Sequence, residues 1–259
     1  MSYVRPKKSL GQHFLKDNNI AHKIVQATEG LEQKTILEIG PGTGVLTSIL
    51  INKEDIDLYA IEVDSESYDF LQASYPSLGS KLIFKNFLKF DLNETFKSPI
   101  TIIGNFPYNI SSQIFFKILE YRDLVLDVVC MIQKEVAERI SSPHGNKTYG
   151  ILSVFLQAFY DIDYLFTVPP WVFNPPPKVN SGVIHLKRNQ RKALSCNESL
   201  FFKIVKQGFN QRRKTLRNSL KSILVNLQLD DEILGKRPEQ LDVEGFIYLT
   251  NLIERKQQE

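Results

Sequence analysis

The chain has 259 residues, 42% hydrophobic and 24% charged, with a formal net charge of +3, the make-up of a soluble protein able to bury one large core and a second, smaller one. No stretch has the apolar length of a membrane span, and the basic run Met1 to Lys8 lacks the apolar segment of a secretion signal, so a cytoplasmic protein is expected. Cys130 lies in an apolar strand-like run and Cys196 in a polar linker, which argues against a structural disulfide, and neither the cysteines nor the four histidines have metal-ligand spacing.

From the N-terminus, residues 7–15 (Lys-Lys-Ser-Leu-Gly-Gln-His-Phe-Leu) are too irregular for a strand, and the Gln12-His13 pair says little on its own, a lone histidine being more often structural than functional. A helix follows, with Asp17 as its cap, Ile20, Ile24 and Val25 at helical spacing, and Gly30 as its stop. Thr35 to Ile39 reads as a short buried strand that runs into Gly40-Pro41-Gly42-Thr43-Gly44 and a helix from Val45. Strand, glycine loop and helix start together make a nucleotide site, because residues without side chains let a ligand touch backbone and a helix start exposes unpaired N–H groups. A pyrophosphate fingerprint needs a third glycine where this chain has Val45, so the loop favours an adenosine with a short zwitterionic tail over a dinucleotide.

The next strand, Ile56 to Ile61, ends at Glu62, at the distance from the loop where a carboxylate clasps ribose hydroxyls; the alternative is a helix-capping acid, a part that Asp64 can also play. A third strand, Lys81 to Phe84, delivers Asn86, whose amide can read an adenine amino group while Phe87 or Leu88 packs on the ring. Ile100 to Ile103 is a fourth strand, leading into Asn105-Phe106-Pro107-Tyr108-Asn109. These five residues offer acceptors and an aromatic face but no acid, base or thiol. They suit the gripping of a flat heteroaromatic amine: the Asn105 oxygen and the Phe106 carbonyl accept its two N–H bonds, Tyr108 stacks on its ring, and Pro107 fixes φ and donates nothing. The same residues also make an ordinary strand-to-helix turn, and on their own they leave both readings open.

A fifth strand, Leu124 to Ile132, precedes a charged helix, Gln133 to Ile140, and a polar loop, Ser141 to Lys147, expected to be mobile. After an aromatic-rich segment, the proline-rich run Val168 to Val179 excludes regular structure and is stiff enough to present Phe173 or Trp171 as a fixed wall. The last strand is Ser181 to Leu186, and beyond residue 190 the pattern is helical only. Residues 187 to 223 hold eleven Lys or Arg against one acid, Glu198, a distribution that suits a polyanion, the alternative being a solvated helix face. Within it, Arg213, Arg217 and Lys221 at i, i+4 spacing predict one outward stripe on a helix whose Leu216, Leu220, Ile223 and Leu224 face inward.

Taken together, Leu10-Gly11-Gln12-His13-Phe14-Leu15, Glu38-Ile39-Gly40-Pro41-Gly42-Thr43-Gly44, Glu62, Asn105-Phe106-Pro107-Tyr108-Asn109, Phe173-x-Pro-x-Pro-Lys-Val and Gln211-Arg212-Arg213-Lys214-Thr215-Leu216-Arg217-Asn218 resemble the KsgA-type small-subunit (16S) ribosomal RNA adenine dimethyltransferases over almost the whole chain. The resemblance implies an α/β, Rossmann-like, S-adenosylmethionine-dependent methyltransferase domain, 1–190, with a mostly parallel seven-stranded sheet, and a small all-helical RNA-binding domain, 191–259. It implies dimethylation of two adjacent adenosines in the 3′-terminal hairpin loop of small-subunit rRNA, within a partly assembled subunit, by a monomer that binds neither metal nor membrane. Carried onto this sequence, it has Gln12, His13 and Leu15 fold over the cofactor, Gly40 and Gly42 line its tail, Glu62 hold its ribose and Asn86 read its adenine. Asn105, Phe106, Pro107 and Tyr108 handle the target base, Tyr108 and Phe173 sandwich it, and Arg213, Arg217 and Lys221 meet RNA. The family usually has Asp at position 86, and Asn keeps an acceptor oxygen but loses the strength of a charged one. Two alternatives are a non-catalytic ribosome-assembly factor and a macrolide-resistance-type large-subunit methyltransferase; the intact Asn105 motif disfavours the first and the Arg-Arg-Lys-Thr-Leu-Arg-Asn stretch the second.

Overall fold

A computed structural model describes residues 4–225 and 227–258. The chain divides into two compact units, Met1–Ala137 with Asp161–Arg188, and Glu138–Tyr160 with Asn189–Glu259.

The first unit is built on a seven-stranded sheet. Its strands are β2 (Thr35–Ile39), β3 (Asp57–Glu62), β4 (Leu82–Phe84), β5 (Ile100–Asn105), β6 (Val125–Gln133), β7 (Tyr160–Val168) and β9 (Ser181–Arg188), in the order β4-β3-β2-β5-β6-β9-β7. The pairs β2–β3, β3–β4, β2–β5 and β5–β6 are parallel and β6–β9 is antiparallel. Strands covered on both faces read as unbroken apolar runs, and Ile36, Leu37, Ile102, Ile103 and Val128 are accordingly buried. Between strands lie α1 (Asn18–Gln26), α2 (Thr47–Leu50), α3 (Ser65–Ser74), α4 (Leu92–Thr95) and α5 (Ser111–Glu120). The Asp17 carboxylate accepts from the Asn19 and Ile20 amides to start α1, whose Ala21, Ile24 and Val25 face the core. The helix expected from Val45 is shorter: residues 42–46 are turns and α2 begins at Thr47. A separate two-stranded ribbon pairs β1 (Phe14–Leu15) with β8 (Phe173–Asn174), Phe14 opposite Asn174 and Leu15 opposite Phe173.

The strand order reverses between β2 and β5. Loops leaving the carboxyl ends of these two strands diverge to opposite sides and leave a crevice, the place where open α/β sheets bind ligands. Gly40 follows β2 and Asn105 ends β5, so the topology brings the glycine loop and the asparagine motif to one crevice.

The second unit is helical: residues 138–141 of α6 (Lys134–Ser141), α7 (Ile151–Gln157), α8 (Glu198–Asn210), α9 (Leu216–Ser219) and α10 (Val243–Gln258). An aromatic cluster holds it together: Phe155 meets Phe202 edge-on at 4.5 Å, Phe246 lies 6.4 Å from Phe201 and 6.0 Å from Phe209, and Tyr149 lies 6.1 Å from Phe209. Phe155 and Tyr149 come from residues 138–160, which is why this segment packs with the C-terminal helices although the chain pattern puts the boundary at 190. The loop expected to be mobile is tied down: the Asn146 side-chain oxygen accepts from Ser142 Oγ at 2.8 Å and from the Thr148 amide at 2.9 Å, while the Gly145 amide donates to the Glu239 carbonyl at 2.6 Å.

The single helix expected to carry Arg213, Arg217 and Lys221 does not form. Helix α8 stops at Asn210, residues 211–214 turn, and the Leu216 amide is diverted to the Lys236 carbonyl at 2.8 Å, so that only Arg217 of the three lies in α9. The partition of faces nonetheless follows the pattern, with Leu216, Leu220 and Ile223 buried and all three cations exposed.

Candidate functional site

The crevice is a cleft of about 260 Å³, close to the lower end of small-ligand sites. Gln12, His13, Gly40, Gly42, Glu62 and Asn86 line it together with the Asn105 to Tyr108 motif. At its floor, Gly40 (φ 65°) donates its N–H to the Ile61 carbonyl at 3.0 Å, and a Cβ there would project into open space, so this stretch of backbone is bare towards the cleft. Gly42 (φ 59°) is required for a different reason: a Cβ would stand 2.8 Å from the Phe14 ring, which closes over the loop.

Glu62 is buried and fully engaged on one side. Its Oε1 accepts from the Val63 and Asp64 amides, both at 2.9 Å, and its Oε2 from the Gly42 amide at 3.1 Å, which leaves a lone pair of Oε2 for a hydroxyl in the cleft. Burial raises its pKa against the pull of these three amides. Asn86 is exposed at the rim, its oxygen capping the following turn by accepting from the Leu88 amide at 2.9 Å. The N-terminal segment crosses the cleft and is latched to α3: Lys7 pairs with Asp64 and, at 3.2 Å, with Glu66, while Gln12 Nε2 donates to Asp64 at 3.3 Å. Burial pushes the Asp64 carboxyl up, but its hydrogen bonds from Lys7, Gln12 and Ser67 outweigh that and hold it below the usual range.

Asn105 shows the feature that a target-base grip requires. Its Nδ2 donates to the His13 carbonyl at 2.8 Å, which fixes the amide, and its Oδ1 is buried with no hydrogen-bond partner. A buried acceptor without a donor costs about 1–3 kcal/mol, a cost that a bound N–H would relieve. Phe106 is anchored by its amide to the Met131 carbonyl at 3.0 Å. The Tyr108 ring stacks on His13 at 5.5 Å and 29°, and its hydroxyl lies 2.5 Å from Ser181 Oγ. Bare backbone at Gly40, the remaining Glu62 lone pair and the orphaned Asn105 oxygen thus fit a nucleoside cofactor beside a base amine, and among the described residues no group of three or more His, Cys, Asp and Glu could hold a metal.

Two expected residues are elsewhere. Leu15 and Phe173 oppose each other in the β1–β8 ribbon, 4% and 1% exposed, and both belong to the apolar core instead of the cleft wall, because a ribbon one of whose sides faces the core buries that side's residues. Phe173 therefore offers no face to a target base in this arrangement. Arg213, Arg217 and Lys221 lie in the helical unit. Phe14 and the Lys7–Asp64 latch were not singled out from the sequence; Phe14 adjoins Gln12-His13 and could have been, whereas the latch joins residues with no local pattern in common.

Glu38, on β2 just before the glycine loop, is fully buried with Thr47 Oγ1 donating to it at 2.6 Å. Burial, reinforced by the Glu62 charge, raises its pKa from 4.5 to about 7. The folded state thus holds this proton more tightly than the unfolded chain, so stability is full below the unfolded pKa near 4.5 and falls as pH rises to about 7. The loss is about 3 kcal/mol above that window. Chemical denaturation at pH 5 and pH 8 should show this drop in the wild type and a flatter profile in Glu38→Gln; equal slopes would contradict it.

A family model described as "Ribosomal RNA adenine dimethylase" matches residues 4–237. A relative named "Ribosomal RNA small subunit methyltransferase A", from Cytophaga hutchinsonii, is 55% identical over 258 residues, 99% of this chain and 100% of its own. The crystal structure of a dimethyladenosine transferase from Plasmodium falciparum superposes with a TM-score of 0.77 at 25% identity, covering 95% of this chain and 98% of that one. That of the 23S rRNA methyltransferase ErmE gives 0.65 at 21% identity over 95% and 100%, a likeness of fold. With the match running through both the cleft and the helical unit, the chain belongs to the ribosomal RNA adenine dimethylase family.

Proposed function

We propose that this chain dimethylates N6 of two adjacent adenosines in the 3′-terminal hairpin loop of small-subunit ribosomal RNA, acting in the cytoplasm as a monomer on a partly assembled subunit and serving subunit biogenesis. The observation that carries the reading is the buried, unpartnered Asn105 Oδ1 at the switch point of the sheet.

S-adenosylmethionine supplies the electrophilic methyl group. The residues suited to hold it are Gly40 and Gly42 at its tail, Glu62 at its ribose and Asn86 at its adenine, with Gln12 and His13 in the segment latched above. Asn105 Oδ1 and the Phe106 carbonyl accept from the two N6–H groups of the target adenine and hold these hydrogens out of the ring plane, so that the nitrogen lone pair, otherwise delocalised into the ring, is directed at the incoming methyl group. Tyr108 stacks on that base with the face that His13 leaves free, repaying its extrusion by roughly 1–3 kcal/mol. No general base is needed, because the methylated nitrogen is a strong acid and loses its proton to water. Orientation alone can supply several kcal/mol of the barrier.

Arg213, Arg217 and Lys221 meet RNA phosphates. Arg217 is engaged by Asp230 at 3.2 Å and by the Leu229 carbonyl at 3.3 Å, so part of its charge is already compensated. Replacing all three by Gln should lower the slope of log affinity against log salt by about two, at roughly 0.7–0.9 per contact, with cofactor affinity unchanged. Filter binding at several salt concentrations that gives parallel lines would remove these residues from the interface.

The function itself is tested with methyl-labelled S-adenosylmethionine and small ribosomal subunits that lack the modification. Label is expected in N6,N6-dimethyladenosine of the small-subunit RNA; label in large-subunit RNA alone, or none, would reject the reading.

A further inference from the structure

The proline-rich loop holds two aromatic residues that could form a wall, and the structure separates them: Phe173 is sealed in the core, whereas Trp171, the sole tryptophan of the chain, is 73% exposed. Single exposed apolar side chains are ordinary on a protein surface. This indole, however, sits on a braced segment. Pro169 and Pro170 precede it, it lies in the 3-10 turn Pro170–Val172, and the next carbonyl, that of Val172, accepts from the Lys16 amide at 2.8 Å. The β1–β8 ribbon carries that brace on to His13, whose Nδ1 lies 2.8 Å from the Pro175 carbonyl and whose ring stacks on Tyr108. Trp171 thus immediately precedes the residue bonded to Lys16, which is three residues along the chain from His13, the residue that backs the proposed target-base site.

Charge complements the ring. Lys16, bonded through its amide to Val172, and Lys178, further along the proline-rich loop, are exposed, and neither side chain makes an ion pair or hydrogen bond among the described residues. An aromatic face with unpaired cations near it is how single-stranded nucleic acid is held, the ring taking a base and the cations its phosphates. An indole on a braced backbone has only two side-chain torsions to lose on doing so.

We infer that Trp171 is a stacking platform for an unpaired base flanking the target adenosine, with Lys16 and Lys178 meeting the adjoining phosphates. This rests on the reading that the substrate is RNA and adds to it a contact outside the cofactor cleft.

Because the chain has one tryptophan, its emission reports on this contact alone. The full chain is titrated at low salt with a short single-stranded RNA containing two adjacent adenosines, emission and filter retention being read on the same samples, with methyl transfer to unmodified small subunits measured separately. Emission is expected to be quenched in parallel with retention. Trp171→Ala should weaken RNA binding by roughly five- to a hundred-fold, the worth of one stacked base, while Trp171→Phe restores most of it and cofactor affinity stays at the wild-type value in both. RNA retained without any change in emission, together with wild-type affinity in Trp171→Ala, would overturn the platform and leave the function intact. So would methyl transfer to subunits by a wild type that does not retain the oligonucleotide. A wild type that neither binds nor methylates would overturn both.

Discussion

Asn105→Ala is expected to lower methyl transfer by on the order of 10²–10³-fold, the usual consequence of losing one preorganised polar partner of the reacting group, while RNA binding stays close to wild type. The residue closes β5 opposite Met131, and its side chain has one end tied to the His13 carbonyl and the other buried and empty. Alanine removes the acceptor that orients the target amine and also frees the segment that carries His13, so cofactor affinity should fall modestly as well. Asn105→Asp separates these effects. It keeps an oxygen at each end of the side chain, but its carboxylate repels the His13 carbonyl where the amide donated to it, and it should be almost as inactive. Filter binding and methyl incorporation measured on the same preparations check the assignment; equal loss of both in Asn105→Ala would show that the residue holds RNA or the fold and not the reacting amine.

Glu62→Gln should weaken S-adenosylmethionine binding at least ten-fold although it is isosteric. Three backbone amides, those of Gly42, Val63 and Asp64, point at the carboxylate. An amide side chain must place its NH2 at one of the two oxygen positions. At the Oε1 position it faces the Val63 and Asp64 N–H groups and forfeits hydrogen bonds to a charged group, worth about 1.5–3 kcal/mol each. At the Oε2 position it faces the Gly42 N–H and loses the acceptor for the ribose hydroxyl. Calorimetry giving wild-type affinity for Glu62→Gln would detach the carboxylate from the cofactor and leave it as a brace of the glycine loop.

The parts of this site that were readable in the sequence are those whose geometry is local. The Gly40 to Gly44 loop and the Asn105 to Tyr108 motif each follow directly on a strand, and strand order then carries them to one crevice; Glu62 ends the strand next to the loop it braces. Distant pairing was not readable. Leu15 and Phe173 are buried because β1 and β8 meet across most of the chain, and no spacing near either residue announces it. The Arg213 to Lys221 stripe failed for a related reason. Its periodicity is helical, but the Leu216 amide finds the Lys236 carbonyl, and this tertiary bond outcompetes continuation of α8 while keeping the apolar residues inward. Polarity suggested a mobile 141–147 loop, whereas Asn146 satisfies that loop's donors internally and Glu239 anchors Gly145. The aromatic residues of 149–159 likewise reveal their partners, Phe202, Phe209 and Phe246, only once the helical unit is folded.

The central claim is that the grip formed by Asn105, Phe106 and Tyr108 serves N6 dimethylation of two neighbouring adenosines in small-subunit RNA. Its most direct test is mass-spectrometric mapping of that RNA from cells with the wild-type protein, with Asn105→Ala in its place, and with none. Paired N6,N6-dimethyladenosines near the 3′ end are predicted in the first and in neither of the others; the same pair present in all three, or dimethyladenosine appearing only in large-subunit RNA, would contradict the account.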